Sequence, residues 1–297
     1  MKKIYIAGCG GMLGLAFYKE FKDIYSLRCS DIDINEDWLE YLDFRDYDAY
    51  LKEVRDFNPD WLFHLGAHTD LEFCELNIEE AYETNTSSVE NAVKISKSLH
   101  IPLLYVSTAG IFGGAKDTYD ETDKPKPLGH YGRSKYLGEI FVQENYDNYL
   151  ICRAGWMMGG GPKKDKKFIQ KIISQIKGGS KTLHIVNDKL GTPTYTHDFA
   201  CNTKLLIEEE QRGLFNMVCG GLTGRLEVAR ELVKLLGLRD KIKIQEVTSG
   251  FFSKEYFAER PDSERLINKR LDDLNLNIMR DWEISLKDCL KEYYPDL

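Results

Sequence analysis

The chain has 297 residues, 42% of them hydrophobic and 30% charged, with a formal net charge of −8 at pH 7. That length is enough for a full α/β core with a smaller lobe beside it. Both signs of charge are mixed and no basic field covers the chain, which argues against nucleic acid and anionic membrane as partners; a phosphate-bearing ligand must be held by local amides and a few local cations.

From the first residues, Met1 to Ala7 run straight into a strand pattern and leave no room for a targeting peptide. The short β-branched and aromatic run at 4–7 ends in glycines, and a helical pattern follows over 12–21. A second strand is expected at 25–29, then a helix over 46–57 that Asn58-Pro59 stops. Strands at 61–65 and 103–106 flank a long helix over 77–99, where Ile78, Ala81, Tyr82, Val89, Ala92 and Val93 recur at helical spacing. A helix over 131–145 and a strand at 149–152 complete the first half. This β-α-β-α alternation predicts an α/β fold of Rossmann type, a doubly wound parallel sheet. The second half is less regular, with helices expected over 168–176, 225–236 and 282–293 and strands at 182–186, 214–218 and 242–247. It reads as a smaller C-terminal α/β lobe. The predicted division is 1–153 plus about 191–212 for the dinucleotide-binding domain, and about 154–190 with 213–297 for the substrate lobe.

Seven cysteines occur (Cys9, Cys29, Cys74, Cys152, Cys201, Cys219 and Cys289), an odd number with no C-x-x-C pair and no secretory signal before them. Free thiols and a cytoplasmic location are the expectation. No apolar run approaches the ~20 residues that a spanning helix needs.

Gly8, Gly11 and Gly14 form G-x-x-G-x-x-G directly after the first strand and open the first helix. Glycine permits the tight turn and lets backbone amides approach a pyrophosphate. The helix N-terminus, with Met12 and Leu13 in its first turn, adds unpaired N–H groups and a positive dipole end. A bound nicotinamide dinucleotide is therefore expected. Asp31 lies near the end of the second strand, where an acid meets the adenosine ribose; a carboxylate there would repel a 2′-phosphate, which favours NAD(H) over NADP(H). With Asp33, Glu36 and Asp37 nearby and Arg28 close, a solvated loop acid is the other reading.

Tyr131 and Lys135 are spaced Tyr-x-x-x-Lys, so both side chains share a helix face. A neighbouring ammonium favours phenolate and brings a tyrosine into working range near neutral pH. The fourth strand ends Val106-Ser107-Thr108, placing a hydroxyl at the ligand-facing edge of the sheet, where Thr108 can hydrogen-bond a substrate carbonyl. An ordinary surface pair and a loop-capping hydroxyl are the plain alternatives. No metal site is expected.

Taken together, these residues resemble the extended short-chain dehydrogenase/reductases, and most closely the dTDP-4-dehydrorhamnose reductase family, over nearly the whole chain. The resemblance rests on the Gly8/Gly11/Gly14 turn, Leu42-Asp43, Ala67-His68-Thr69, Asn85, Ser107-Thr108, Tyr131 with Lys135, and Trp156. It also rests on Asp188-Lys189-Leu190-Gly191-Thr192-Pro193-Thr194, Arg260-Pro261 and Met279-Arg280-Asp281-Trp282. It implies reduction of a 4-keto sugar attached to a nucleotide, in the supply of polysaccharide precursors. Tyr131 would be the acid, Thr108 the carbonyl ligand, and Lys135 would both tune Tyr131 and hold the nicotinamide ribose. Asp43 would meet the adenine, Ala67, His68 and Asn85 would lie along the cofactor, and Trp156 would line the substrate pocket; for His68, Asn85 and Trp156 a loop histidine, a satisfied buried amide and core packing are the alternatives. Where the family carries Asp-Tyr after Ser-Thr, this chain has Ala109-Gly110, so a pocket carboxylate and a pocket tyrosine are missing, and Lys189 replaces a glutamine. Lys163 and Lys166 are read as offsetting a substrate diphosphate, a solvated basic turn being the alternative. The expected partner is a small-molecule nucleotide sugar, with a homodimer left open. The rival activities are an NAD-dependent sugar-nucleotide epimerase or dehydratase, and a non-catalytic regulatory subunit resembling that of methionine adenosyltransferase.

Overall fold

The computed structural model describes residues 1–295. Strand β1 (Lys3–Ala7) feeds the glycine turn and helix α1 (Met12–Phe21), which buries Leu13, Ala16, Phe17 and Phe21 at helical spacing. Strands β2 (Ser26–Asp31) and β3 (Leu39–Tyr41) follow, the first extending two residues beyond the expected 25–29 to carry Asp31 to its end. Helix α2 (Tyr47–Phe57) is capped by Asp46, which accepts from the Ala49 N–H, and ends at Asn58 in the left-handed region before Pro59. Strand β4 (Trp61–His64) is wholly buried.

The long helix expected over 77–99 runs from Ile78 to Leu99, with one π-helical turn within it. Helix α3 (Leu71–Leu76), capped by Asp70, precedes α4 (Ile78–Tyr82); a π-helical turn over Glu83–Ser87 then leads into α5 (Ser88–Leu99). Side-chain periodicity hardly registers a one-residue widening of the helix, yet such turns gather at functional sites. Strand β5 (Leu103–Thr108) ends in a 3₁₀ turn over Ala109–Ile111, followed by β6 (Thr118–Tyr119), α6 (His130–Asn145) and β7 (Tyr149–Ala154). The second half holds β8 (Trp156–Met158), α7 (Gly161–Lys164), α8 (Phe168–Lys177), β9 (Thr182–Val186), β10 (Leu190–Gly191), β11 (Pro193–Tyr195) and α9 (Thr196–Glu208). After these come β12 (Gly213–Asn216), β13 (Thr223–Gly224), α10 (Arg225–Leu235), β14 (Lys243–Val247), β15 (Ser263–Leu266), α11 (Lys269–Asp273) and α12 (Trp282–Tyr293).

The main sheet has seven parallel strands in the order β12-β7-β5-β4-β1-β2-β3. Alternate residues of one strand serve opposite cores: Ile4 and Ile6 join one apolar cluster, Tyr5 and Ala7 the other, so both faces are covered. The first cluster continues without a break through Ile172, Leu183, Leu232 and Leu286, so the lobe shares its core with the sheet. β12 pairs with β7 as the edge strand, so residues 213–216 are part of the main sheet. The lobe is built on short pairings, β13-β10-β15-β6, β11-β8 and β14-β9. Most of these strands are two to five residues long, too few for a period-2 pattern to stand out. No helix among the described residues is long and apolar enough to cross a membrane, and all seven cysteines are free.

Candidate active site

The strands of the main sheet point their C-terminal ends at one edge, where open α/β sheets bind ligands. Ala7, Asp31, His64 and Thr108 all stand at that edge. At the turn after β1, Gly8 has φ +78° and its N–H donates to the Ser30 carbonyl at 2.9 Å, while a Cβ on it would strike Gly66 N at 2.2 Å. A Cβ on Gly14 would meet the Cys9 carbonyl oxygen at 2.1 Å, so only glycine lets α1 close on the turn. Gly11 is the N-cap and carries no side-chain cap, and space is open where its Cβ would be. The N–H groups of the first turn, Met12 and Leu13 included, therefore face an accessible cradle that fits an anion. Leu13 contributes only its backbone there, because its side chain is part of the core.

Asp31 accepts from the Gly10 N–H at 2.8 Å and the Asp33 N–H at 3.0 Å, which ties its carboxylate to the glycine turn rather than leaving it a solvated loop acid. Asp43 is gripped by Arg45 through both carboxylate oxygens at 2.7–3.1 Å, and this pairing holds its pKa below the usual carboxylate range.

In the loop after β4, Ala67 is partly exposed and His68 is locked by its backbone. Its N–H donates to Asn85 Oδ1 at 2.8 Å and its carbonyl accepts from Asn85 Nδ2 at 3.0 Å. The same Nδ2 donates to Ser134 Oγ on α6 at 3.1 Å, and Asn85 is fully buried in the π-helical turn. The Asn85 amide joins the β4 loop to α6, as a satisfied buried amide does. The His68 ring stacks on Phe73 at 4.5 Å and reaches Glu80, so it too is engaged locally.

Thr108 ends β5 and its Oγ1 accepts from the Gly110 N–H at 3.1 Å. The Tyr131 ring lies against the same Gly110: a Cβ there would sit 3.3 Å from the ring and 3.5 Å from Thr108 Oγ1. The two hydroxyl-bearing residues thus converge on one point. Burial pushes the Tyr131 phenol up to about 12, and the Thr108 hydrogen bond pulls the other way without overcoming it. Lys135, one helical turn on and 3% exposed, has its ammonium 4.3 Å over the Tyr105 ring. Burial lowers its pKa to about 7, and Glu139 on the same helix opposes the fall. Desolvation, which favours the neutral phenol, is the largest influence on Tyr131.

Trp156 donates its indole N–H to Glu264, and the Arg225 guanidinium stacks on the Trp156 ring at 3.6 Å and on Phe168 at 4.6 Å. Arg225 makes no side-chain hydrogen bond among the described residues, and burial pulls its pKa to about 10, which leaves it charged at neutral pH. Arg260 is held bidentately by Glu72, and Lys189 by Asp262. The lysines singled out in the sequence do not form a group in the crevice. Lys163 bonds Glu36 and the Asn35 carbonyl in the loop after β2, and Lys166 is exposed. Between them Lys164 is buried, donating to the Gly10 carbonyl at 2.8 Å and to Asn35 Oδ1 at 2.6 Å. A short helix turns alternate lysines to different surroundings, so the run has no common face. Arg225 and Glu264 carried no sequence motif; only the pairing of β15 with β10 and the start of α10 bring them beside Trp156.

Compared with known proteins, the chain is 29% identical over 265 residues to the dTDP-4-dehydrorhamnose reductase of Salmonella typhimurium, covering 85% of this chain and 86% of that one. The structure of the dTDP-4-dehydrorhamnose reductase from Yersinia enterocolitica matches at 32% identity with a TM-score of 0.86, over 99% of this chain and 100% of that one. The Bacillus anthracis dTDP-4-dehydrorhamnose reductase, solved in complex with NADP, matches at 26% identity with a TM-score of 0.90, over 98% and 100% of the two chains. The model of the RmlD substrate binding domain covers residues 1–295, and with the glycine cradle and the Thr108–Tyr131–Lys135 constellation in place, the chain belongs to that family.

Proposed function

We propose that the protein reduces a 4-keto sugar nucleotide with a nicotinamide cofactor, in the manner of a dTDP-4-dehydrorhamnose reductase supplying polysaccharide precursors. The observation that carries this reading is the convergence of the Tyr131 phenol and the Thr108 hydroxyl beside an uncapped glycine turn at the C-terminal edge of the sheet. Thr108 orients the substrate carbonyl. Tyr131, kept neutral by burial, holds the proton that the developing alkoxide needs. Lys135 reaches the ribose beside the nicotinamide from the same helix face. When bound, the reduced nicotinamide supplies the hydride. Arg225, flanked by two aromatic rings and free of a carboxylate hydrogen bond, replaces Lys163 and Lys166 as the cation for the substrate diphosphate. A screen of nucleotide-linked 4-keto sugars with NADH and NADPH, followed at the nicotinamide absorbance, tests the reading. Turnover with freely exchanging cofactor is expected; cofactor that stays bound through purification, with no net oxidation, would point to an epimerase or dehydratase.

NADH is the preferred cofactor in this proposal, because Asp31 is held at the glycine turn by the Gly10 and Asp33 N–H groups, where a carboxylate would repel a 2′-phosphate. Asp31→Ala is expected to narrow the ratio of NADH to NADPH efficiency. Equal efficiencies in the unaltered protein would overturn the preference.

Proton uptake offers a second check. Lys135 has a pKa of about 7 in the cofactor-free protein, so at pH 7–8 a large share is neutral. An anionic dinucleotide with ribose oxygens at the ammonium favours the charged form and raises that pKa. Binding should take up a fraction of a proton near pH 7.5, and affinity should fall as pH rises through neutrality. Calorimetry in buffers of different ionisation enthalpy reads this directly; zero uptake in the wild type, or the same uptake in Lys135→Met, would remove Lys135 from the explanation.

A further inference from the structure

The reacting end of the pocket has one bare wall. Gly110 presents no side chain to Tyr131, although it lies within van der Waals distance of that ring and of Thr108. Facing that wall is β15, which packs against the 109–111 turn and pairs with β6 and β10. Its Glu264 is held by one oxygen: Oε1 accepts the Trp156 indole N–H, and Oε2 has no hydrogen-bond partner among the described residues. The Trp156 ring that anchors it is packed on Gly191 of the adjoining β10, where a Cβ would come within 2.2 Å of the ring. Burial raises the Glu264 pKa, and the Trp156 hydrogen bond and the cations Arg225, Arg260 and Lys189 oppose the rise without cancelling it. Glu264 thus sits on the strand that packs against the 109–111 turn beside Tyr131, and it holds the same Trp156 ring on which Arg225 stacks at the proposed diphosphate end. A sugar ring lies between those two ends in any sugar nucleotide whose keto carbon meets Tyr131.

We propose that Glu264 is the residue that selects the sugar: its free oxygen accepts a hydrogen bond from a ring hydroxyl, so that the site takes a hydroxylated hexose carried on a nucleoside diphosphate. Thr108 and Tyr131 recognise the reacting oxygen, which every keto sugar shares. Glu264 recognises a donor elsewhere on the ring, which distinguishes one sugar from another. A deoxygenated or hydroxyl-blocked ring leaves a desolvated carboxylate oxygen unpaired, and this rejects it. The inference rests on the sugar-nucleotide reading above.

The test uses ground-state binding and needs no turnover. Wild type and Glu264→Gln are titrated calorimetrically with dTDP-glucose and with dTDP alone, both in the presence of oxidised cofactor. Gln keeps an oxygen to accept the Trp156 N–H but replaces the free carboxylate oxygen with an amide nitrogen, so the anchor survives and the acceptor is lost. Expected is a loss of about tenfold in dTDP-glucose affinity with dTDP affinity and melting temperature unchanged. An unchanged dTDP-glucose affinity means that Glu264 only anchors Trp156, which overturns the proposal. An equal loss for both ligands assigns Glu264 to the charge balance of the lobe and overturns it as well. If wild type binds dTDP but gains nothing from the glucose, sugar selection by Glu264 fails while the nucleotide reading stands; if it binds neither, both fail.

Discussion

Tyr131→Phe is expected to lower kcat by about 10²–10⁴, leaving the fold and cofactor binding intact. The substitution removes one hydroxyl and keeps the ring that packs against Gly110. The Thr108 Oγ1 beside it keeps the Gly110 N–H as donor. Reduction of a ketone gathers negative charge on oxygen as hydride arrives, and without the phenol that oxygen must be protonated from water. Because burial holds the phenol near 12, the group is fully protonated across the neutral range. Between pH 6 and 8 the rate should therefore not track a Tyr131 titration, and any slope belongs to Lys135 or to the substrate. Single-turnover decay of the nicotinamide absorbance, beside a melting curve and a cofactor titration, separates the effects. Retention of more than a tenth of the wild-type rate would reject Tyr131 as the acid.

The second large effect is expected from a residue that touches neither substrate nor cofactor. Glu139 on α6 and Arg153 on β7 are both buried, and Glu139 receives Arg153 Nε at 3.1 Å and Nη2 through its other oxygen. Glu139 also supports the charge of Lys135 one turn back on the helix. Glu139→Ala would leave two buried cations without their carboxylate. Breaking a buried pair from one side costs about 3–5 kcal/mol, whereas replacing both partners by apolar groups is often near neutral. Glu139→Ala is thus expected to lose stability of that order in urea unfolding, and Glu139→Leu with Arg153→Met to recover most of it. The single variant should also bind cofactor more weakly at pH 7, since Lys135 loses the group that favours its charged form. A loss below about 1 kcal/mol would mean that the pair is solvated in solution, as surface pairs are.

The glycine turn, the alternation of strands and helices, and the Tyr131/Lys135 pair could be read from the chain because each is local. A strand of four apolar residues, a helix face repeating every three to four, and a turn that only glycine can make leave their mark within a dozen neighbouring positions. The same holds for Asp31 and Thr108, each of which lies at a strand end. The π-helical turn around Asn85 was hidden for the opposite reason: it shifts the helix by one residue without changing the composition. The run 163–167 showed its charge but not its direction, because Lys163 and Lys164 find their partners in the glycine turn and the loop after β2, more than a hundred residues away in sequence.

What the sequence by itself determined is the sheet, the glycine turn and the placement of Tyr131 and Lys135 on one helix face at the ligand-binding edge. The tertiary structure alone decided which groups surround that pair. Burial raises the Tyr131 phenol; Glu139, paired with Arg153, favours the charge on Lys135; and β15 brings Glu264 to Trp156 from a position 108 residues distant. Such long-range pairings depend on desolvation and on the packing of two-to-five-residue strands. Neither leaves a periodic trace in the chain, because the free energy involved comes from what is excluded from water once the elements have met.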